Sequence, residues 1–250
     1  MKELNITTKS KLFALRVNVY KTDTLSVMIN SAQDSDCDIL ALYFEIENEE
    51  QIQYSTQLLK TILPTITKPL MICGSGKSDI DKILLPELIN VLDRECIISF
   101  ADETNYKTIV PCVVAGNHYL VLKSPIDINL AKELNILSVD LGLDKNKILM
   151  NTDIGGLGYG YEYGYSILEK VVLEAQKGDE YLNLPLISEA AIESLKTKEA
   201  KADTYSKSWG NLSKRARMIE LASSSGVLSA GANVIVMEYP DNISIMKGLV

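Results

Sequence analysis

The sequence has one histidine, His118, and no two cysteines in CxxC spacing. Its four cysteines (Cys37, Cys73, Cys96 and Cys112) stand apart, which suits reduced, packed thiols. An iron–sulfur cluster held by this chain alone would need clustered thiolates, so none is expected. No basic stripe offsets a formal charge of −8, which removes nucleic acid from the expected partners. The longest apolar runs, such as IVPCVVAG and ILALYF, are too short to span a bilayer. The opening MKELNITTKSK lacks the apolar centre of a signal peptide. A cytoplasmic chain that meets no membrane is the expectation.

What is present suits a large buried core: 46% of the 250 residues are apolar and 23% charged. Eight short apolar runs read as strands, at 12–19, 38–46, 70–74, 96–101, 119–124, 147–152, 185–188 and 233–238. Helical spacing separates them. Leu130, Leu134, Leu137 and Leu141 recur at intervals of four, three and four before Gly142, and Ile167 to Ala175 repeat the pattern before Gly178. Continuous apolar strands alternating with helices indicate a parallel sheet covered by helices. Eight such units in this length predict an α/β fold, a single (β/α)8 TIM barrel over residues 1–250, with a doubly wound open sheet as the alternative. Pro86 is expected to kink or split the third helix. The charged KTKEAKAD (196–203) reads as an exposed loop or insertion.

In a barrel, chemistry gathers at the C-terminal ends of the strands. His118 precedes strand five, at the opposite rim, and is expected to be a surface or internally satisfied histidine. Phe13, Leu15, Val17 and Val19 share the helix-facing side of strand one, which turns Arg16 and Asn18 inward. A buried arginine needs a partner, and Glu45 at the end of strand two is the expected one. Two glycine-bearing segments lie at strand ends. In CGSGKSDID, Gly74 and Gly76 precede a helix and expose backbone N–H groups that suit an anion, although the P-loop spacing is missing. In NTDIGGLGYGYEYGYS (151–166), Gly155, Gly156, Gly158 and Gly160 exceed what one turn needs, and four tyrosines follow. The excess predicts close approach by a flat or bulky group, and a large residue at Gly156 is expected to weaken its binding without unfolding the barrel. Packing on the barrel rim also accounts for the tyrosines.

The stretches ADETNYKTI (101–109) and GNHYLVLKSPIDINLAKELNILSVDLGLDKNKILMNTDIGGLGYGYEYGYSILEKV (116–171) resemble the small, or delta, subunit of the corrinoid iron–sulfur protein of the CO dehydrogenase/acetyl-CoA synthase system. GDEYLNLPLIS (178–188), ESLKTKEA (193–200), Trp209-Gly210 and AGANVIVMEYP (230–240) extend the resemblance to about residues 12–240. It implies a barrel and a larger partner subunit that carries the iron–sulfur cluster and the corrinoid-binding domain. The corrinoid (cobalamin) would lie between that domain and the open end of this barrel. Its methyl group would come from a methylated pterin through a pterin-dependent methyltransferase and pass to acetyl-CoA synthase. On this resemblance the contacts to the corrinoid are Asn151, Thr152, Asp153, Gly155, Gly156 and Gly158, with Tyr159 and Tyr161 at the rim. Asn105 and Lys107 would serve as anion or amide partners, and the chain would hold no catalytic residue of its own. Asn151 and Asp153 equally suit capping of the next turn. The chain departs from the family in Asn151-Thr152-Asp153, where a proline-threonine pair is common, and in Leu195, where tryptophan is expected. It also starts near strand one and stops after strand eight, so a trimmed member is expected. Two other functions fit the residues. One is a stand-alone pterin-dependent methyltransferase using Asp102, Asn105, Asp127, Asn129, Asn151 and Asp153. The other is a non-catalytic interaction scaffold.

Overall fold

The computed structural model describes residues 4–20 and 24–250. Each predicted apolar run forms a strand: β1 (Leu12–Asn18), β2 (Ile39–Tyr43), β3 (Leu70–Cys73), β4 (Ile97–Ala101), β5 (Tyr119–Lys123), β6 (Ile148–Asn151), β7 (Ile187–Ser188) and β8 (Val234–Met237). They pair in the order β6-β5-β4-β3-β2-β1-β8-β7, and all the pairings are parallel. One parallel bridge, Met150 to Leu186, joins the two ends of the sheet and closes the barrel. Helices α1 (Leu25–Asp34), α2 (Ile52–Ile62), α3 (Ser78–Ile89), α4 (Tyr106–Ala115), α5 (Ile128–Asp140) and α6 (Tyr161–Gln176) follow the first six strands. Three helices follow β7: α7 (Ala190–Ser194), α8 (Lys198–Lys201) and α9 (Leu212–Ala230). The last, α10 (Pro240–Lys247), follows β8.

Strand parity separates two apolar layers. Phe13, Leu15, Val17 and Val19 join Leu40, Leu42, Leu70, Ile72 and their outward neighbours beneath the helices. Ala14, Ala41, Met71, Ile97, Val121, Leu149, Ile187 and Val236 fill the interior. The N-terminal end of the barrel is plugged by residues 4–11. Ile6 packs on the interior layer, Tyr119 Oη donates to Leu4 O at 3.0 Å, and Asn233 Nδ2 donates to Thr8 O at 2.8 Å.

Two expectations change. Pro86 does not split α3, which runs unbroken through it, with Asn90 N donating to Pro86 O at 3.1 Å. Proline costs the helix one donor, and the packed face of Leu84, Leu85 and Leu88 holds the rest. Residues 196–203 are not a loop throughout. They contain α8, whose Ala200 is buried. His118 sits as expected, buried below β5, with Nδ1 accepting from Cys96 N at 3.2 Å. Burial lowers its pKa to about 4, so it is neutral at pH 7.

Candidate functional site at the barrel mouth

Above the apolar layers the inward positions turn polar. Arg16 points inward from β1 and binds two carboxylates. Nη2 lies 2.5 Å from Glu45 Oε1 and Nη1 lies 2.8 Å from Glu238 Oε2, past the end of β8. Glu45 also accepts from Asn18 Nδ2 at 2.6 Å, and the guanidinium lies 5.0 Å from the centre of the Tyr43 ring. Burial works against the charged guanidinium. The two carboxylates outweigh it and hold the pKa above the ordinary arginine value. The expected pairing with Glu45 is present, and Glu238 doubles it.

Glu189, just past β7, is a second hub. Tyr43 Oη donates to its Oε1 at 2.6 Å, Asn151 Nδ2 to its Oε2 at 3.1 Å, and Lys123 Nζ lies 3.9 Å away. A register shift after Ser99 accompanies an inward Phe100, whose ring centre is 4.4 Å from Lys123 Nζ. Arg16, Tyr43, Glu45, Phe100, Lys123 and Glu189 line a cavity of about 280 Å³ together with Cys73 and Ser99. Burial pushes both the Cys73 thiol and the Tyr43 phenol well up, so neither is an activated nucleophile.

The residues predicted to touch a cofactor divide sharply. Asn151, Thr152 and Asp153 are buried. Asn151 Oδ1 accepts from Asp153 N at 3.0 Å, and Asp153 Oδ2 accepts from Glu189 N at 2.6 Å and Ala190 N at 3.2 Å. Burial raises the Asp153 pKa to about 6 against these donors. Asp153 Oδ2 caps the turn after β7, and Asn151 holds Asp153 N and Glu189 Oε2. The glycine excess has the same internal origin. A Cβ on Gly155 would meet Tyr159 O at 2.1 Å, and one on Gly156 would meet Ser194 N at 2.1 Å. Gly158 and Gly160 adopt φ of +89° and +81°, which L side chains rarely take. The groups that approach so closely are therefore the chain's own backbone, Tyr159 O at Gly155 and the end of α7 at Gly156. A side chain at Gly155 or Gly156 would collide with the fold itself.

Tyr161 is likewise committed, its hydroxyl donating to Ser223 O at 2.9 Å beneath α9. Tyr159, by contrast, is 79% exposed. The expected anion cradle at Gly74 and Gly76 is filled from within. Asp81 Oδ1 accepts from Ser75 N at 2.7 Å and Asp81 Oδ2 from Gly76 N at 3.1 Å. Asn105 is buried and its Oδ1 accepts from Asp102 N at 2.8 Å, while Lys107 is exposed over the Tyr106 ring. Asp127 caps α5 by accepting from Asn129 N and Leu130 N. Glu189, Lys123 and Glu238 lay outside the predicted set. Their only signal was a charge at the end of an apolar strand.

A family model for the CO dehydrogenase/acetyl-CoA synthase delta subunit matches residues 15–249. The chain belongs to the CO dehydrogenase/acetyl-CoA synthase delta subunit family. The acetyl-CoA decarbonylase/synthase complex subunit delta of Methanocaldococcus jannaschii is 28% identical over 195 residues, covering 77% of this chain and 47% of that protein. Subunit delta 2 of Methanosarcina acetivorans is 26% identical over 202 residues, covering 77% and 46%. This delta-family chain thus spans under half the length of these relatives. Among solved structures, Yersinia pestis dihydropteroate synthase superposes with a TM-score of 0.69 at 13% identity, covering 97% of this chain and 94% of the enzyme. The Xanthomonas albilineans enzyme in complex with 7,8-dihydropteroate gives 0.65 at 13%, covering 98% and 94%. Both likenesses are likenesses of fold.

Proposed function

We propose that the chain is a corrinoid-protein small subunit that presents its barrel mouth to a cobalamin held by a larger iron–sulfur subunit. In this role it supports methyl transfer from a methylated pterin, through a pterin-dependent methyltransferase, to acetyl-CoA synthase. The observation that carries the reading is the half-open charged rim of Arg16, Glu45, Glu238 and Lys123. Their side chains are 20%, 41%, 28% and 27% exposed. A corrin ring is fringed with carboxamides, which donate to carboxylates and accept from cations. The rim supplies both kinds of partner, so the donor set fits. The 280 Å³ cavity is too small to swallow a macrocycle, so the rim residues Arg16, Glu45, Glu238 and Lys123 are the ones that would hold it. Bound cobalamin supplies the cobalt that carries the methyl group. This chain's residues orient the ring's periphery and cover it from water.

The predicted contacts change accordingly. Tyr159 remains a rim contact, and the buried Asn151 and Asp153 support Glu189 from behind. The reading is tested by titrating the chain into a corrinoid-loaded partner subunit and following the corrinoid absorbance during size exclusion. Association that falls at least tenfold on replacing Lys123 with glutamate supports it. Failure to associate, with methyl transfer from a methylated pterin by the chain alone, favours the methyltransferase function.

A further inference from the structure

The outer flank of the C-terminal face carries a groove of about 590 Å³, apart from the mouth cavity. Its floor is one face of the first turns of α9, Met218, Ile219 and Ala222. Leu157 and Trp209 close its sides, and Lys214 stands at one end. Trp209 and Met218 are each 55% exposed. The groove is built. Arg215 is buried and ties the far wall down by donating to the carbonyls of Glu199, Ala202 and Gly210. Its guanidinium also lies 4.9 Å from the Tyr205 ring centre, and Tyr205 stacks on Trp209 at 5.0 Å. A half-exposed tryptophan held rigid in this way has little entropy to lose when it is covered.

The charge around the groove opposes that of the whole chain. Residues 196–217 hold seven lysines and arginines against two carboxylates, Glu199 and Asp203, in a chain of net charge −8. Among the described residues, the ion pairs of this stretch are Lys196 with Glu193 and Arg217 with Asp241. Lys198, Lys207 and Lys214 are exposed and stand outside those pairs.

We propose that this groove docks an acidic segment of a partner protein, seating one apolar side chain on Trp209 and Met218 and its carboxylates against Lys198, Lys207 and Lys214. The lining holds Lys214 and one carboxylate, Glu199, whose Oε1 already accepts from Tyr205 Oη at 3.0 Å. An apolar floor beside a stretch of seven cations and two carboxylates matches an acidic segment with an apolar anchor in both shape and charge. A second copy of this chain is a poor occupant, because a two-fold contact would set the same lysines against each other. The site does not depend on the corrinoid reading, since it shares no residue with the mouth rim.

Trp209 is the only tryptophan, so its emission reports on the groove directly. The probe is a synthetic tryptophan-free peptide with a central phenylalanine flanked by aspartates and glutamates. Controls carry lysines in the flanks or serine at the centre. The acidic peptide is expected to shift Trp209 emission to the blue and protect it from acrylamide. Met218→Glu is expected to weaken binding at least tenfold, and Lys214→Glu to weaken it and flatten its dependence on salt. Unchanged circular dichroism keeps both variants interpretable. No shift with the acidic peptide, or an equal shift with the lysine-flanked one, overturns the proposal. A shift with phosphatidylglycerol vesicles alone reassigns the groove to a membrane surface. A shift that grows with protein concentration without peptide reassigns it to self-association.

Discussion

Asp153 reaches from the end of β6 to the backbone N–H of Glu189 past β7, 2.6 Å away. It does so at the seam that the Met150–Leu186 bridge closes. One carboxylate therefore supplies hydrogen bonds that the sheet does not. Asp153→Ala is expected to cost about 2 kcal/mol, because two buried N–H groups lose their acceptor. Asp153→Asn, which keeps one oxygen, should cost less. Chemical denaturation measures both, and hydrogen exchange should quicken first at Ile148–Asn151. Equal losses for the two variants would refute the stapling role.

Gly156 and Gly158 separate packing from conformation. A Cβ on Gly156 meets Ser194 N and Cα at 2.1 and 2.3 Å, so Gly156→Ala must move backbone and is expected to cost about 3 kcal/mol. Gly158 has nothing closer than 3.8 Å, so its substitution strains only φ, at about 1 kcal/mol. Urea midpoints that fall in the reverse order would contradict this.

Arg16, Glu45 and Glu238 behave as a unit. Arg16→Met leaves two carboxylates facing each other without a cation and is expected to lose about 2 kcal/mol. A double-mutant cycle of Arg16→Met with Glu238→Gln should recover part of that loss, since the second change removes one orphaned charge. Strict additivity would mean the pair contributes nothing jointly.

Glu220 gives a pH signature. It lies buried on α9 and accepts from Glu238 N at 2.5 Å and from Asn242 Nδ2 at 2.7 Å. Burial raises its pKa from 4.5 to about 7. Between those values the folded chain holds a proton that the unfolded chain has lost, so stability falls as pH rises through this window. Glu220→Gln removes that slope. The stability of the wild type relative to the variant should decline by up to about 3 kcal/mol from pH 4.5 to pH 7. A constant difference would show that Glu220 does not titrate there.

Residues explain what the sequence revealed. The strands were legible because each is a continuous apolar run, and Arg16 was legible because one cation interrupts the inward parity of β1. Glu45 followed as its neighbour on β2. Glu238 did not, because it stands 222 residues away and is brought beside Arg16 only by closure of the barrel between β8 and β1. The glycine excess at 155–160 was plain, but its cause was hidden in a tertiary contact with Ser194. Asn151 and Asp153 stood out as polar residues at the end of an apolar strand. Burial turned them toward Glu189, and spacing alone carries no record of burial.

The Asp81 carboxylate in the Gly74–Gly76 turn bears on selectivity. Many barrels keep such N–H groups free, and a free pair attracts any phosphate that diffuses past. Here the seat has a permanent tenant of the same charge as those rivals. A phosphate group is therefore expected to find no free N–H pair at Ser75 and Gly76.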